Sequence, residues 1–175
     1  AVFTEKIMRI PRSYAFDDEE QLPDVTEALC VNNNFITFGS FNRLNKINRE
    51  VIALWCEVLR KLPDSRLQMA GMPSDGAPDE LLTWFKEEEI SEDRLYFYPR
   101  SGFVEYLKLH NQVDFCLDTF PYTGGTTTMH ALWMGVPTLT LIGDTYPSAQ
   151  GGAVNNRAGL SQYFIADSQA EFVAK

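Results

Sequence analysis

The sequence predicts an α/β fold built on a doubly wound parallel sheet, and three observations carry that prediction. From Phe35 onward, short apolar runs of strand length alternate with longer amphipathic stretches. Turn residues punctuate nearly every transition between them. The segments richest in glycine, threonine and basic residues follow strands rather than helices, and in an open parallel sheet the ligand crevice lies beyond the carboxyl ends of the strands.

The first strand is Phe35-Ile36-Thr37-Phe38, closing on Gly39-Ser40. Asn48 reads as the N-cap of a helix whose apolar stripe is Val51, Ile52, Leu54, Trp55, Val58, Leu59 and Leu62, and Pro63-Asp64-Ser65 stops it. Arg66-Leu67-Gln68-Met69-Ala70 is the second strand, and a Gly-, Pro- and Asp-rich loop covers 71–79. A helix over 79–89 carries Leu81, Leu82, Trp84 and Phe85, and Arg94 to Tyr98 is the third strand. A short helix from Val104 to Leu109 precedes a fourth strand, Phe115-Cys116-Leu117-Asp118. A helix opens at Thr126 and runs to Trp133, Val136 to Leu141 is a fifth strand, and Phe164-Ile165 a sixth. Residues 1–30 hold Pro11, Pro23 and the run Asp17-Asp18-Glu19-Glu20, which break any period; they read as a linker or terminal segment, leaving 31–175 as the domain.

Composition narrows the function. The 175 residues suit one domain, and 45% hydrophobic content supports a core. A net charge of −9 argues against nucleic acid as a partner, since phosphate backbones require a basic surface. No apolar run approaches the roughly 20 residues of a membrane span, and Ala-Val-Phe-Thr-Glu-Lys does not begin a signal peptide. Cys30, Cys56 and Cys116 are odd in number and lack metal-ligand spacing, so the reading is cytoplasmic, with Cys56 and Cys116 as core residues. Trp55 and Trp133 read as core as well.

Three strand-end loops carry chemistry. Asp118-Thr119-Phe120-Pro121-Tyr122-Thr123-Gly124-Gly125-Thr126-Thr127-Thr128 leads from a strand into a helix. Gly124 and Gly125 allow close backbone approach, and Thr126 and Thr127 present hydroxyls and amides at a helix N-terminus, where anions bind. Two readings stand: a phosphate site, or a glycine turn with Thr126 as a cap. Neither a P-loop nor a GxGxxG pattern is present. In 41–47, Arg43 and Lys46 either face the crevice, where a lysine would neutralise a leaving diphosphate, or form a solvated surface pair. In 99–103, Pro99-Arg100-Ser101-Gly102-Phe103 is either a strand-end loop that contacts a base through backbone groups and an aromatic face, or a connection with no ligand role. His130 lies one turn beyond Thr126 on the same face, either towards a ligand or as an ordinary helix histidine.

The run Ile36-Thr37-Phe38-Gly39-Ser40-Phe41-Asn42-Arg43-Leu44-Asn45-Lys46-Ile47, with Leu54-Trp55 and Leu62-Pro63-Asp64-Ser65-Arg66-Leu67 behind it, resembles the catalytic region of the O-linked N-acetylglucosamine transferases. So does Val113-Asp114-Phe115-Cys116-Leu117-Asp118-Thr119-Phe120-Pro121-Tyr122, continued by Gly124 to Thr128 and by Ala131-Leu132-Trp133-Met134-Gly135-Val136-Pro137. The family includes plant SPINDLY-like proteins and many bacterial proteins with tetratricopeptide repeats, which this chain lacks. The resemblance implies a Rossmann-like C-terminal half of a glycosyltransferase B fold, part of a larger, inverting enzyme. That enzyme would move a sugar, N-acetylglucosamine from UDP-GlcNAc, to a protein Ser/Thr hydroxyl without a metal. The first half, which supplies a histidine for acceptor activation, is absent, so the fragment alone is expected to be inactive; a non-catalytic nucleotide-sugar module is the alternative. Lys46 matches the diphosphate lysine, Arg43 a polar donor contact, Thr126 and Thr127 the diphosphate-holding pair, and Ser101 and Phe103 the base-flanking loop. His130 stands where the family commonly has an aspartate on the ribose, and Ser148 to Arg157 is richer in glycine and asparagine than the family pattern.

Overall fold

The computed structural model describes Lys6 and residues 22–175; most of the expected linker lies outside the described residues. The chain runs β1 (Thr37–Ser40), α1 (Arg49–Lys61), β2 (Arg66–Met72), α2 (Asp79–Glu87), β3 (Leu95–Pro99), α3 (Phe103–His110), β4 (Phe115–Leu117), α4 (Thr126–Trp133), β5 (Thr138–Leu141), α5 (Tyr146–Arg157), α6 (Ser161–Phe164), β6 (Ile165–Ala166) and α7 (Gln169–Ala174). The six strands form one sheet in the order β3-β2-β1-β4-β5-β6, every pair parallel. This is the expected Rossmann-like doubly wound sheet, and its strand order reverses between β1 and β4.

Alternation along the strands builds two cores. Phe38, Leu67, Met69 and Leu117 point to the face covered by α1, α2 and α7, where Trp55, Leu59, Phe85 and Phe172 are sealed from solvent. Cys116 points to the other face and joins Phe41, Ala70, Val113, Ala131 and Val136 under α3 and α4. Burying a large apolar side chain contributes roughly 1.5–3 kcal/mol, so the first and larger cluster dominates stability. Local polar contacts fix the ends. Asn48 Oδ1 accepts the Val51 amide as predicted for the N-cap. At the other end of α1, the Arg94 guanidinium donates to the carbonyls of Leu59, Leu62 and Ser65.

Three expectations are corrected. Trp133 is 49% exposed rather than core. Thr128 and Ala131 take the inner face of α4, and a residue two positions past Ala131 points to the opposite side. Residues 79–89 are helical only to Glu87, because Glu89 turns into the left-handed region at φ 59°. The glycine- and asparagine-rich stretch 148–157, read as a departure without a predicted element, lies within α5. A capping box between Thr145 and Ser148 starts that helix.

His110 is fully buried, its ring stacked 3.8 Å from Phe41 and its Nδ1–H donating to Tyr106 O at 3.1 Å. Burial pushes its pKa down to about 4, against the opposing pull of that backbone bond and with a smaller contribution from His130. The native imidazole is therefore neutral, while the unfolded one takes a proton below its ordinary value of about 6.5. The unfolded state binds more protons in that window, so stability falls as pH drops from about 6.5 towards 4. Between pH 7 and pH 5 the loss assigned to this residue is about 2 kcal/mol. Urea melts of the chain and of His110→Phe at both pH values check it: the variant is expected to show that much less acid sensitivity.

Candidate functional site

The reversal between β1 and β4 opens a crevice at their carboxyl ends, where the topology of such sheets places ligands. Two of the three predicted loops meet there. The β1–α1 loop passes through a short helical turn, Leu44–Lys46, which lifts Lys46 against the β4–α4 loop. Lys46 Nζ donates to Thr123 O at 2.9 Å and sits 4.0 Å from the centre of the Tyr122 ring. Burial lowers the pKa of this ammonium; the nearby Asp118 charge pulls the other way, and Arg43 adds a smaller lowering push. One N–H of Lys46 is committed to Thr123, which leaves two to point at an incoming anion. Arg43 lies exposed at the rim of the same loop.

The β4–α4 loop is held from beneath. Trp55 Nε1 donates to Asp118 O at 3.1 Å, and the Thr119 hydroxyl donates to Tyr122 O at 2.7 Å. The Phe120–Pro121 bond is cis. Thr123 is tied to the start of α5: its amide and hydroxyl donate to Pro147 O at 3.1 and 2.9 Å, and its Oγ1 accepts the Gly151 amide at 3.0 Å. α4 begins at Thr126 with Gly125 as N-cap and no side chain bonded to its first amides. Thr126 is exposed there and Thr127 half-buried. An uncapped helix start carries partial positive charge and directed N–H groups, which is the physical requirement for holding a phosphate.

Sequence reasoning does not single out Asn42, Asp118, Tyr106 or Tyr122 as site residues. Asn42 follows β1 directly and is 5% exposed, donating to Asp118 and accepting the Thr127 hydroxyl at 3.0 Å. A polar residue at the end of a buried strand is its one sequence signal. The third loop adds an aromatic wall rather than a charged one. Phe103 is 5.2 Å from the His130 ring and 6.3 Å from Tyr106, and His130 Nδ1 lies 3.2 Å from Tyr106 Oη. Burial lowers the His130 pKa, so near neutral pH the ring is uncharged. Phe103 and His130 are thus brought together, whereas Ser101 is exposed at the loop tip. Among the described residues no three His, Cys, Asp or Glu side chains gather as a metal-holding group. No helix among them is long and apolar enough to cross a membrane.

Residues 21–174 match the model of glycosyl transferase family 41. The chain is 32% identical over 174 residues to the probable UDP-N-acetylglucosamine--peptide N-acetylglucosaminyltransferase SPINDLY of Oryza sativa subsp. japonica, covering 97% of this chain and 19% of that protein. It is 31% identical over 173 residues to the protein of the same name from Arabidopsis thaliana, with the same shares of each chain covered. The chain therefore spans about a fifth of the length of these curated relatives. A mutant O-GlcNAc transferase from Thermobaculum terrenum superposes with a TM-score of 0.76 at 31% identity, over 87% of this chain and 29% of that one. A Staphylococcus aureus MnaA–UDP structure at 15% identity and a TM-score of 0.50 shares the fold alone.

Proposed function

Because the chain belongs to glycosyl transferase family 41, we propose that it is the donor-binding, C-terminal half of a glycosyltransferase B enzyme, and that the whole protein, a cytoplasmic one, transfers a sugar to a protein hydroxyl. N-acetylglucosamine carried on uridine diphosphate is the donor in this reading. The observation that supports it most is the meeting, at the reversal of strand order, of the Lys46 ammonium with a loop that ends in an uncapped helix start.

In the transfer, the acceptor oxygen forms a bond to the anomeric carbon as the bond from that carbon to the β-phosphate oxygen breaks. The departing electron pair ends on the diphosphate, so negative charge grows there. Lys46 and the amides of Thr126 and Thr127 would stabilise that charge without a metal, and they need no reorganisation to do so. Phe103, Tyr106 and the neutral His130 would bound the nucleoside with ring faces and one polar nitrogen. Uptake of the acceptor proton is assigned to the other half of the fold.

Calorimetric titration with uridine diphosphate, repeated with adenosine diphosphate, tests the reading. Saturable binding with a preference of at least about tenfold, or about 1.4 kcal/mol, for the uridine compound is expected. Equal or undetectable binding of both, in this chain and in the full-length protein, would defeat it.

A further inference from the structure

Asp118 performs no step in this chemistry, yet its side chain is 1% exposed and bonded on every side. Oδ1 accepts the amides of Thr119 at 2.9 Å and Gly124 at 2.7 Å, and the Asn42 amide group at 3.0 Å. Oδ2 accepts the Thr140 hydroxyl at 2.9 Å. No described cation forms a salt bridge with it. A buried carboxylate hydrogen-bonded only by neutral donors, with the Lys46 ammonium nearby but outside salt-bridge contact, is a costly way to stabilise a fold. Its partners show what it achieves instead. Thr140 belongs to β5, Asn42 to the end of β1, Gly124 to the glycine loop, and Asn42 passes the connection on to Thr127 in the first turn of α4.

We propose that Asp118 and Asn42 are positioning residues that set the glycine loop and the first turn of α4 in their anion-receiving form before any ligand arrives. The proposal rests on the donor-binding reading of that loop. Preorganisation removes the ordering cost from the binding step. It also assigns a specific task to Thr127. Its hydroxyl proton is given to Asn42, so its backbone amide is the donor it offers a phosphate. The loop sequence fits the same demand: a Cβ on Gly124 would sit 3.1 Å from Asp118 Oδ1 and 2.9 Å from Thr127 Oγ1, so only glycine lets these groups close.

The test uses the whole chain with Asn42→Ala, Asp118→Asn and Asp118→Ala. Two readouts are taken well below each melting point: amide hydrogen exchange of the unliganded protein, and calorimetric titration with uridine diphosphate. In Asn42→Ala, exchange at residues 124–128 is expected to accelerate while α1 stays protected, and affinity to fall about tenfold, as for one buried hydrogen bond. Asp118→Asn keeps the Oδ1 acceptor and can donate to Thr140, so it is expected to bind within about threefold of wild type, a rescue that Asp118→Ala lacks. Unchanged exchange at 124–128 in Asn42→Ala overturns the proposal whatever the ligand result. A loosened loop that still binds within about twofold of wild type overturns it as well. If wild type takes up no uridine diphosphate but the loop loosens in Asn42→Ala, the donor reading falls and the positioning role stands. Should Asp118→Ala fail to fold, Asn42→Ala and Asp118→Asn decide.

Discussion

Lys46→Ala is expected to weaken uridine diphosphate binding by roughly 10- to 100-fold, corresponding to the 1.5–3 kcal/mol of a hydrogen bond to a charged group. The geometry explains why the effect is large at this residue. The ammonium is half-buried and already directed by Thr123 O and the Tyr122 ring, so little side-chain freedom remains to be lost on binding. Stability is expected to change by no more than about 1 kcal/mol, because the substitution removes one partly buried hydrogen bond and one cation–π interaction and leaves the core intact. Arg43→Ala removes an equal charge from an exposed position and is expected to cost less than about threefold in affinity, with a stronger dependence on salt. Calorimetry on both variants, with a thermal melt of each, checks the contrast. Equal losses would mean that net charge rather than placement governs the site.

Gly151→Ala is expected to destabilise the chain by about 2 kcal/mol or more, against the sign that helix propensity predicts. Residue 151 lies inside α5, where alanine is ordinarily better than glycine by about 1 kcal/mol. Here the helix rests directly on the site's support. A Cβ at 151 would stand 2.8 Å from Thr140 Oγ1 and 2.9 Å from Thr140 Cγ2, and closer still to Asp118 Oδ2. Either α5 lifts, or the Thr140–Asp118 bond breaks and leaves a buried carboxylate oxygen without its donor. Gly152→Ala is the control. The nearest atoms to its Cβ all belong to the Ile142 side chain, the terminal Cδ1 at 3.0 Å, which can rotate away, so the change is expected to be near neutral. Urea melts of the two variants decide, and a stabilised Gly151→Ala would show that α5 does not press on Asp118.

These two cases mark what the residues alone reveal. The strands and helices up to Leu141 were legible because their signals are local: an Asn48 cap, apolar runs of strand length, a stripe at helical spacing. The fold class followed from their alternation. α5 was not legible, since Gly151 and Gly152 depress helix propensity, and the reason for a glycine at 151 lies in Asp118 and Thr140 beneath it, not in the helix. The site divides in the same way. Lys46 and the glycine loop were legible as strand-end chemistry, but their meeting at Thr123 joins residues 77 apart. In the sequence Asn42 is one more loop asparagine; its partner Asp118 lies 76 residues on. The sequence assigns Phe103 and His130 to separate parts of a nucleotide, and their contact across α3 and α4 is tertiary.

The β1–β4 pairing has a further consequence for the order of events in folding. Phe38 meets Phe115 across 77 residues, whereas Thr37 meets Arg66 across 29. Closing the longer loop costs about 0.9 kcal/mol more in chain entropy, and Cys116 meets Thr138 across only 22 residues, so β4 and β5 can pair before that loop closes. The stretch β1 to β3 can assemble from nearby contacts, and such contacts form faster. At that stage Lys46 exists without Thr123, and Asn42 without Asp118. The candidate nucleotide pocket is thus a property of the closed junction alone, and on the donor-binding reading a bound uridine nucleotide is expected to slow unfolding by holding shut the seam that closes last.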